Sequence, residues 1–129
     1  MRELKFRCKR ESNGKWQVFR FGALVDGSAY DDFIQDCKPE TIGQYTGLKD
    51  KNGKEIYELD WLEFDTQAIH ASIIKWGDIA GGWEMHGRTR GKEEKQYFRN
   101  FNRFHARKGT VIGNQFEGAV PLRKRKETP

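Results

Sequence analysis

Long hydrophobic runs are missing from this 129-residue chain. The longest uncharged stretch with apolar character runs from Thr66 to Ile74. A membrane-spanning helix needs about 20 apolar residues, so this stretch is far too short. Cysteine is equally scarce. Cys8 and Cys37 allow one disulfide at most, and no CxxC or Cys/His cluster exists. That excludes a disulfide-dense scaffold and makes no case for structural zinc. Low-complexity linkers and internal repeats are absent. No GxSxG, HExxH, P-loop or GxGxxG pattern occurs, and Ser12, Ser28 and Ser72 have no recognisable His/Asp partners.

Apolar residues are few, at 36%, against 33% charged. That balance alone would suit a disordered chain. Aromatics, however, reach 13%, with four Trp, four Tyr and nine Phe. Disordered chains are poor in rings, and each buried ring removes a large apolar area from water. The composition therefore predicts one globular domain with an aromatic-rich core. The opening segment Met1–Arg7 is charged throughout and has no apolar h-region. The expectation is a cytoplasmic protein with no membrane partner, with both thiols reduced.

Charge is unevenly spread. Residues 1–25 carry seven basic and two acidic groups, and residues 26–65 carry four and eleven. Residues 86–129 carry twelve basic groups and four acidic ones. Two readings fit this basic–acidic–basic order. Either a basic face meets a polyanion, or the segments neutralise one another across the fold.

Strand signals dominate the pattern. Asn13-Gly14 and Asn52-Gly53 are hairpin signals, because both central residues of a type I′ turn need positive φ. With Asn13 and Gly14 at those positions, Cys8 lies opposite Phe19 and Phe6 opposite Phe21. Leu4, Phe6, Cys8, Phe19 and Phe21 then share one face, and Cys8 reads as an inert buried thiol. Asp31 to Cys37 reads as a short helical turn ended by Lys38-Pro39. Strands are expected at 41–49, at 55–64, at 69–76, at 83–90 and at 110–116. Gly77-Asp78 and Gly81-Gly82 bracket a loop. Between 91 and 108 the period changes: Tyr97, Phe101 and Phe104 sit at i, i+4 and i+7, which predicts a helix over 92–107 with Gly109 as its stop. The tail beyond residue 122 is expected to be disordered.

Four segments resemble the YopX family of phage and prophage proteins. Met1–Arg7 looks like the family's opening. The run Gln44-Tyr45-Thr46-Gly47-Leu48-Lys49-Asp50-Lys51-Asn52-Gly53-Lys54-Glu55-Ile56-Tyr57-Glu58 is the most specific piece. Leu59-Asp60-Trp61-Leu62-Glu63-Phe64 looks like the family's EGDIV stretch, and Val111–Glu117 looks like its closing strand. The resemblance runs from the first residue to about residue 122 and is weakest over 22–40 and 84–108. It implies a mainly β fold with an SH3-like, partly open barrel and a bacterial phage or prophage origin. It implies no activity and no catalytic residue. Where the family pattern has Gly, this chain has Leu59. If that position takes positive φ, leucine costs about 1 kcal/mol or more; otherwise the turn has been rebuilt.

The expected architecture is a single domain over 1–122, with a hairpin lobe at 1–40, the barrel part with one short helix at 41–122, and a basic tail at 123–129. Candidate chemistry is sparse. His70, His86 and His105 have no metal-ligand spacing, and only strand pairing could bring His70 and His86 together. Glu58, Asp60, Glu63 and Asp65 form a carboxylate cluster. It suits general acid–base work or a divalent ion, but Asp60 reads better as a turn cap accepting backbone N–H groups. No cofactor or metal is expected. The most suggestive stretch interleaves Arg88, Arg90, Lys92, Lys95, Arg99, Arg103, Arg107 and Lys108 with Tyr97, Phe98, Phe101 and Phe104. On the expected helix, Lys95, Arg99 and Arg103 form one stripe, and Arg123, Lys124, Arg125 and Lys126 add a basic arm. The leading expectation is a non-enzymatic accessory protein that binds nucleic acid through phosphates. The alternatives are a solvated basic face and a protein-interaction module acting on a host or phage protein.

Overall fold

The computed structural model describes residues 3–66, 69–78, 81–90 and 93–117, with only the backbone of Asp32 and Ile34. The chain is mainly β, as expected. Nine strands are described: β1 Lys5–Lys9, β2 Trp16–Arg20, β3 Gly43–Lys49, β4 Glu55–Tyr57, β5 Asp60–Phe64, β6 Ser72–Gly77, β7 Gly82–Arg88, β8 Gln96–Asn100 and β9 Gly109–Asn114. Three short helices accompany them: α1 Phe21–Val25, α2 Tyr30–Asp36 and α3 Arg103–Ala106. A single 3-10 turn, Pro39–Thr41, follows α2. Its proline sits at the helix start, where a missing N–H costs nothing.

The strands form two antiparallel sheets, ordered β2-β1-β3-β4 and β8-β7-β6-β5-β9. No strand pairing among the described residues closes the second sheet, so β8 and β9 are its edges. The first sheet joins the N-terminal hairpin to the family's β3–β4 hairpin, with Phe6 opposite Gln44 and Arg7 opposite Gly43. The larger core lies between the second sheet and β4. It contains Ile56, Leu62, Phe64, Ile74, Trp83, Met85, Phe101 and Ala106. A smaller core of Cys8, Phe19 and Cys37 sits under α1 and α2, with Leu24, Phe33 and Ile42 packed against it. The core is less aromatic than composition suggests. Phe98, Phe104, Tyr30 and Phe21 are each at least half exposed.

Both Asn-Gly turns form, but neither as a type I′ turn. Asn13 and Asn52 keep negative φ, whereas Gly14 (φ 67°) and Gly53 (φ 81°) are left-handed. In the first turn, Arg10 N–H donates to the Lys15 carbonyl and Gly14 N–H to the Arg10 carbonyl, both at 2.9 Å. The loop is thus longer than two residues, and the register moves. Phe6 faces Phe19 and Cys8 faces Gln17. A shift of two residues preserves the face of every side chain, so Phe6, Cys8 and Phe19 still share one face. Phe21, however, leaves the strand for α1 and is 50% exposed, and Leu4 is 40% exposed. In the second turn the Asp50 carboxylate accepts the N–H groups of Asn52 (2.8 Å) and Lys54 (2.9 Å). Its other oxygen accepts Val111 N–H at 2.9 Å, which pins this hairpin to β9.

The expected strand at 55–64 is divided between the sheets. Leu59 breaks it, with φ 68°, the one positive value outside glycine among the described residues. This is the position where the family pattern has Gly. The left-handed geometry costs a leucine about 1–2 kcal/mol. Two backbone bonds hold it there: Leu59 N–H donates to the Ile74 carbonyl at 2.7 Å, and the Leu59 carbonyl accepts Gln115 N–H at 3.0 Å.

The expected helix and the expected thiol state also fail. The helix over 92–107 is replaced by strand β8 and the single helical turn α3. Tyr97, Arg99 and Phe101 also fit a period of two, and pairing with β7 selects that period: Met85 faces Arg99 and His86 faces Phe98. The reduced, inert Cys8 thiol is also overturned. Cys8 is bonded to Cys37, across 29 residues of chain. The end of α2 is fastened to β1, since Lys38 N–H donates to the Lys9 carbonyl (2.9 Å) and Glu11 N–H to that of Asp36 (2.7 Å). That places the two cysteines together.

Gly109 opens β9 rather than capping a helix in the left-handed region. Its backbone lies so close to β5 that an added Cβ would come within 2.7 Å of Leu62 Cδ2. Gly109→Ala should therefore destabilise by about 1–3 kcal/mol through overpacking. Urea denaturation checks this, and an unchanged midpoint refutes it.

Candidate nucleic-acid interface

The basic residues singled out from the sequence do not form one stripe. Strand β8 and helix α3 distribute them over three places. Asn102 caps α3, accepting Phe104 N–H (2.9 Å) and His105 N–H (3.3 Å) on its side-chain oxygen. With the turn so fixed, residues four apart share a side. Arg103 and Arg107 line a shallow cavity with Tyr45, Lys49 and Asp50 of the family hairpin. Phe104 and Lys108 face the other way, toward β8. The Lys108 ammonium lies 4.0 Å from the centroid of the Phe104 ring.

On that side a groove of about 720 Å³ opens between the β8 edge and α3. Lys51, Arg99 and Lys108 line it, with Phe104, His105 and one carboxylate, Asp65. Phe104 is 62% exposed. Among the described residues, none of the three cations pairs with a carboxylate. His105 registers their field. Burial first, and then the charges of Arg99 and Lys108, lower its pKa from the ordinary histidine value. It therefore sits in the groove as a neutral imidazole at neutral pH.

Arg88 is elsewhere. It ends β7 and lies 3.9 Å from Glu94, which also bonds His70 Nε2 at 3.0 Å. Arg90 follows β7 and is half-buried; Lys95 is exposed, and its N–H donates to the Thr89 hydroxyl at 2.9 Å. Lys92, Arg123, Lys124, Arg125 and Lys126 lie outside the described residues, as does the tail expected to be disordered.

The histidines are partly brought together. The β6–β7 hairpin sets His70 and His86 on the lining of one cavity of about 450 Å³, with Trp61, Lys75 and Arg88. His105 lies in the separate groove. No group of three or more His, Cys, Asp or Glu suited to a metal ion occurs among the described residues. The carboxylates divide in the same way. Asp60 is 1% exposed, accepts Tyr57 N–H at 2.8 Å and is ion-paired to Arg7. It is the turn cap the sequence suggests. Glu58 instead lies against the Gln44 N–H of the first sheet.

Sequence reasoning missed Lys51 and Trp61. Lys51 is in the Asn52-Gly53 turn, and only the fold carries that turn to the C-terminal basic segment: its N–H donates to the Gly109 carbonyl at 3.0 Å.

No helix among the described residues is long and apolar enough to cross a membrane. A comparison with curated proteins finds no match. The family profile described as YopX protein, in contrast, matches residues 2–122. That is nearly the whole chain, and with the sequence motifs folded into β3–β5 and β9, this protein belongs to the YopX family.

Proposed function

We propose that this protein is a non-enzymatic phage or prophage accessory protein that binds nucleic acid. The observation that carries the reading is the groove between β8 and α3, where three cations outside any ion pair flank an exposed phenyl ring. Cations so placed neutralise phosphates and release counterions, and an exposed ring offers a face to a base. Arg103, Arg107 and Lys49 on the far side of α3 extend the basic surface. We further read the order β9-β5-β6-β7-β8, with a helical turn before its last strand in sequence, as the open SH3-like arrangement of the family.

A salt titration tests the reading. Three neutralised phosphates give a log–log slope of affinity against salt of about −2 on a single strand. Replacing Arg99 and Lys108 by glutamate should flatten that slope by about 1.4. An occupying polyanion also cancels the field on His105, so its imidazole pKa, followed by NMR, should rise on binding. Absence of binding at low salt, or a flat slope, defeats the proposal.

A protein-interaction role has one observation in its favour. Val18, Phe21, Val25 and Tyr30 are all exposed around β2 and α1, and Val25 is 70% exposed.

A further inference from the structure

Phe98 and Arg99 are neighbours on β8, an edge strand, so their side chains leave opposite faces of the sheet. Arg99 enters the basic groove. Phe98 stands on the other face and is 65% exposed. The registers place it at the end of a row that crosses four strands: Trp61 on β5, Ile73 on β6, His86 on β7 and Phe98 on β8. His86 and Phe98 are stacked, with centroids 5.6 Å apart and planes 20° from parallel. Cavities of about 450 Å³ and 460 Å³ meet at His86, and Trp61 and Phe98 line one each.

This face is poor in uncompensated positive charge. Lys75 and Arg88 project from it, but Glu84 lies opposite Lys75 and bonds His86 Nε2 at 3.0 Å, and Glu94 lies 3.9 Å from Arg88. A phosphate gains little beside that carboxylate, whereas the flat face of a base gains from the rings. Bases and phosphates thus find their preferred surroundings on opposite sides of one exposed strand. A duplex keeps its bases stacked inside and presents mainly phosphates. A single strand can turn its bases to one side of the β8 edge and its backbone to the other.

We infer that the ligand is single-stranded nucleic acid, held with its phosphates in the Lys51/Arg99/Lys108 groove and a base stacked on the Phe98–His86 pair. This rests on the nucleic-acid reading above and adds the strand state and the stacking site.

The test is fluorescence anisotropy of the full chain with a labelled oligopyrimidine single strand and with the matching duplex. Phe98 is exposed, so Phe98→Ala should leave the fold intact, which the thermal midpoint verifies. The substitution should weaken single-strand binding by about 5- to 100-fold and leave duplex binding unchanged. Phe98→Tyr, which keeps the ring face, should retain wild-type affinity. If Phe98→Ala stays within about twofold of wild type while the Arg99/Lys108 charge reversal abolishes binding, the stacking site is refuted and the groove stands. Equal affinity of the wild type for duplex and single strand also refutes it. Failure of the wild type to bind either form at low salt overturns the nucleic-acid reading itself.

Discussion

Arg7→Met should cost about 3–5 kcal/mol of stability, the largest loss expected from one substitution in this chain. Arg7 lies on β1 and reaches across to Asp60 at the start of β5, so a single ion pair ties the two sheets together. Its guanidinium lies 4.6 Å from the centroid of Trp16 and 4.7 Å from that of Tyr57. Methionine keeps much of that apolar packing but leaves the Asp60 carboxylate buried and without its cation. The penalty is the desolvation of that charge, not the worth of the pair.

The pH dependence has a definite sign. Burial raises the Asp60 carboxyl above the ordinary aspartate value, against the pull of Arg7, the Tyr57 N–H and Lys54. A carboxyl raised in the folded state holds its proton more tightly there than in the unfolded chain. Its stabilising contribution is full below the unfolded value of about 3.9 and is lost as pH rises through the folded one. Removing Arg7 raises the folded value further. The variant should therefore regain stability as pH falls from neutrality toward about 4, more steeply than the wild type. Urea denaturation at several pH values measures this. A pH-independent difference between the two proteins would contradict it.

Loss of the Cys8–Cys37 bond is the second large effect. The 29-residue separation implies about 3–4 kcal/mol of chain entropy withheld from the unfolded state. The core around the bond is small: besides the two cysteines, Phe19 is its one buried residue among those described, with half-buried Leu24, Ala29, Phe33 and Ile42 beside it, so it has little else to hold α1 and α2 onto β1. Cys8→Ser with Cys37→Ser should unfold β1, β2, α1 and α2 before the larger core. Amide exchange should lose protection first in β1, β2 and α2 and persist in β5–β7. Uniform loss of protection, or a stability change below about 1 kcal/mol, would show that packing alone secures the lobe.

The mainly β class, the positions of most strands and the role of Asp60 were legible in the sequence. Their causes are local or nearly so: alternating apolar residues, Asn-Gly turns, and a carboxylate beside the N–H groups it caps. The register of the first hairpin was not, because the length of its loop depends on the Arg10–Gly14 bond rather than on the Asn-Gly pair alone. The 91–108 segment was misread for a related reason. Its rings satisfy both a helical and a strand period, and only the partner strand β7 distinguishes them.

The candidate interface divides along the same line. Sequence named Arg99, Arg103, Arg107 and Lys108 through their charge and their interleaved rings. It placed Lys95, Arg99 and Arg103 on one stripe, whereas α3 is a single turn and β8 an edge strand, so Arg99 and Arg103 face different ways. Lys51 joined them through the β3–β4 hairpin's bond to β9. Composition and local pattern alone determined the β character and the places of the turns, and the resemblance of four segments pointed to the family that the profile match shows. The disulfide, the buried Arg7–Asp60 pair and the grouping of cations around Phe104 were decided by the tertiary structure. Each depends on residues 29 or more positions apart, or on which way an edge strand turns its side chains, and a linear pattern holds neither.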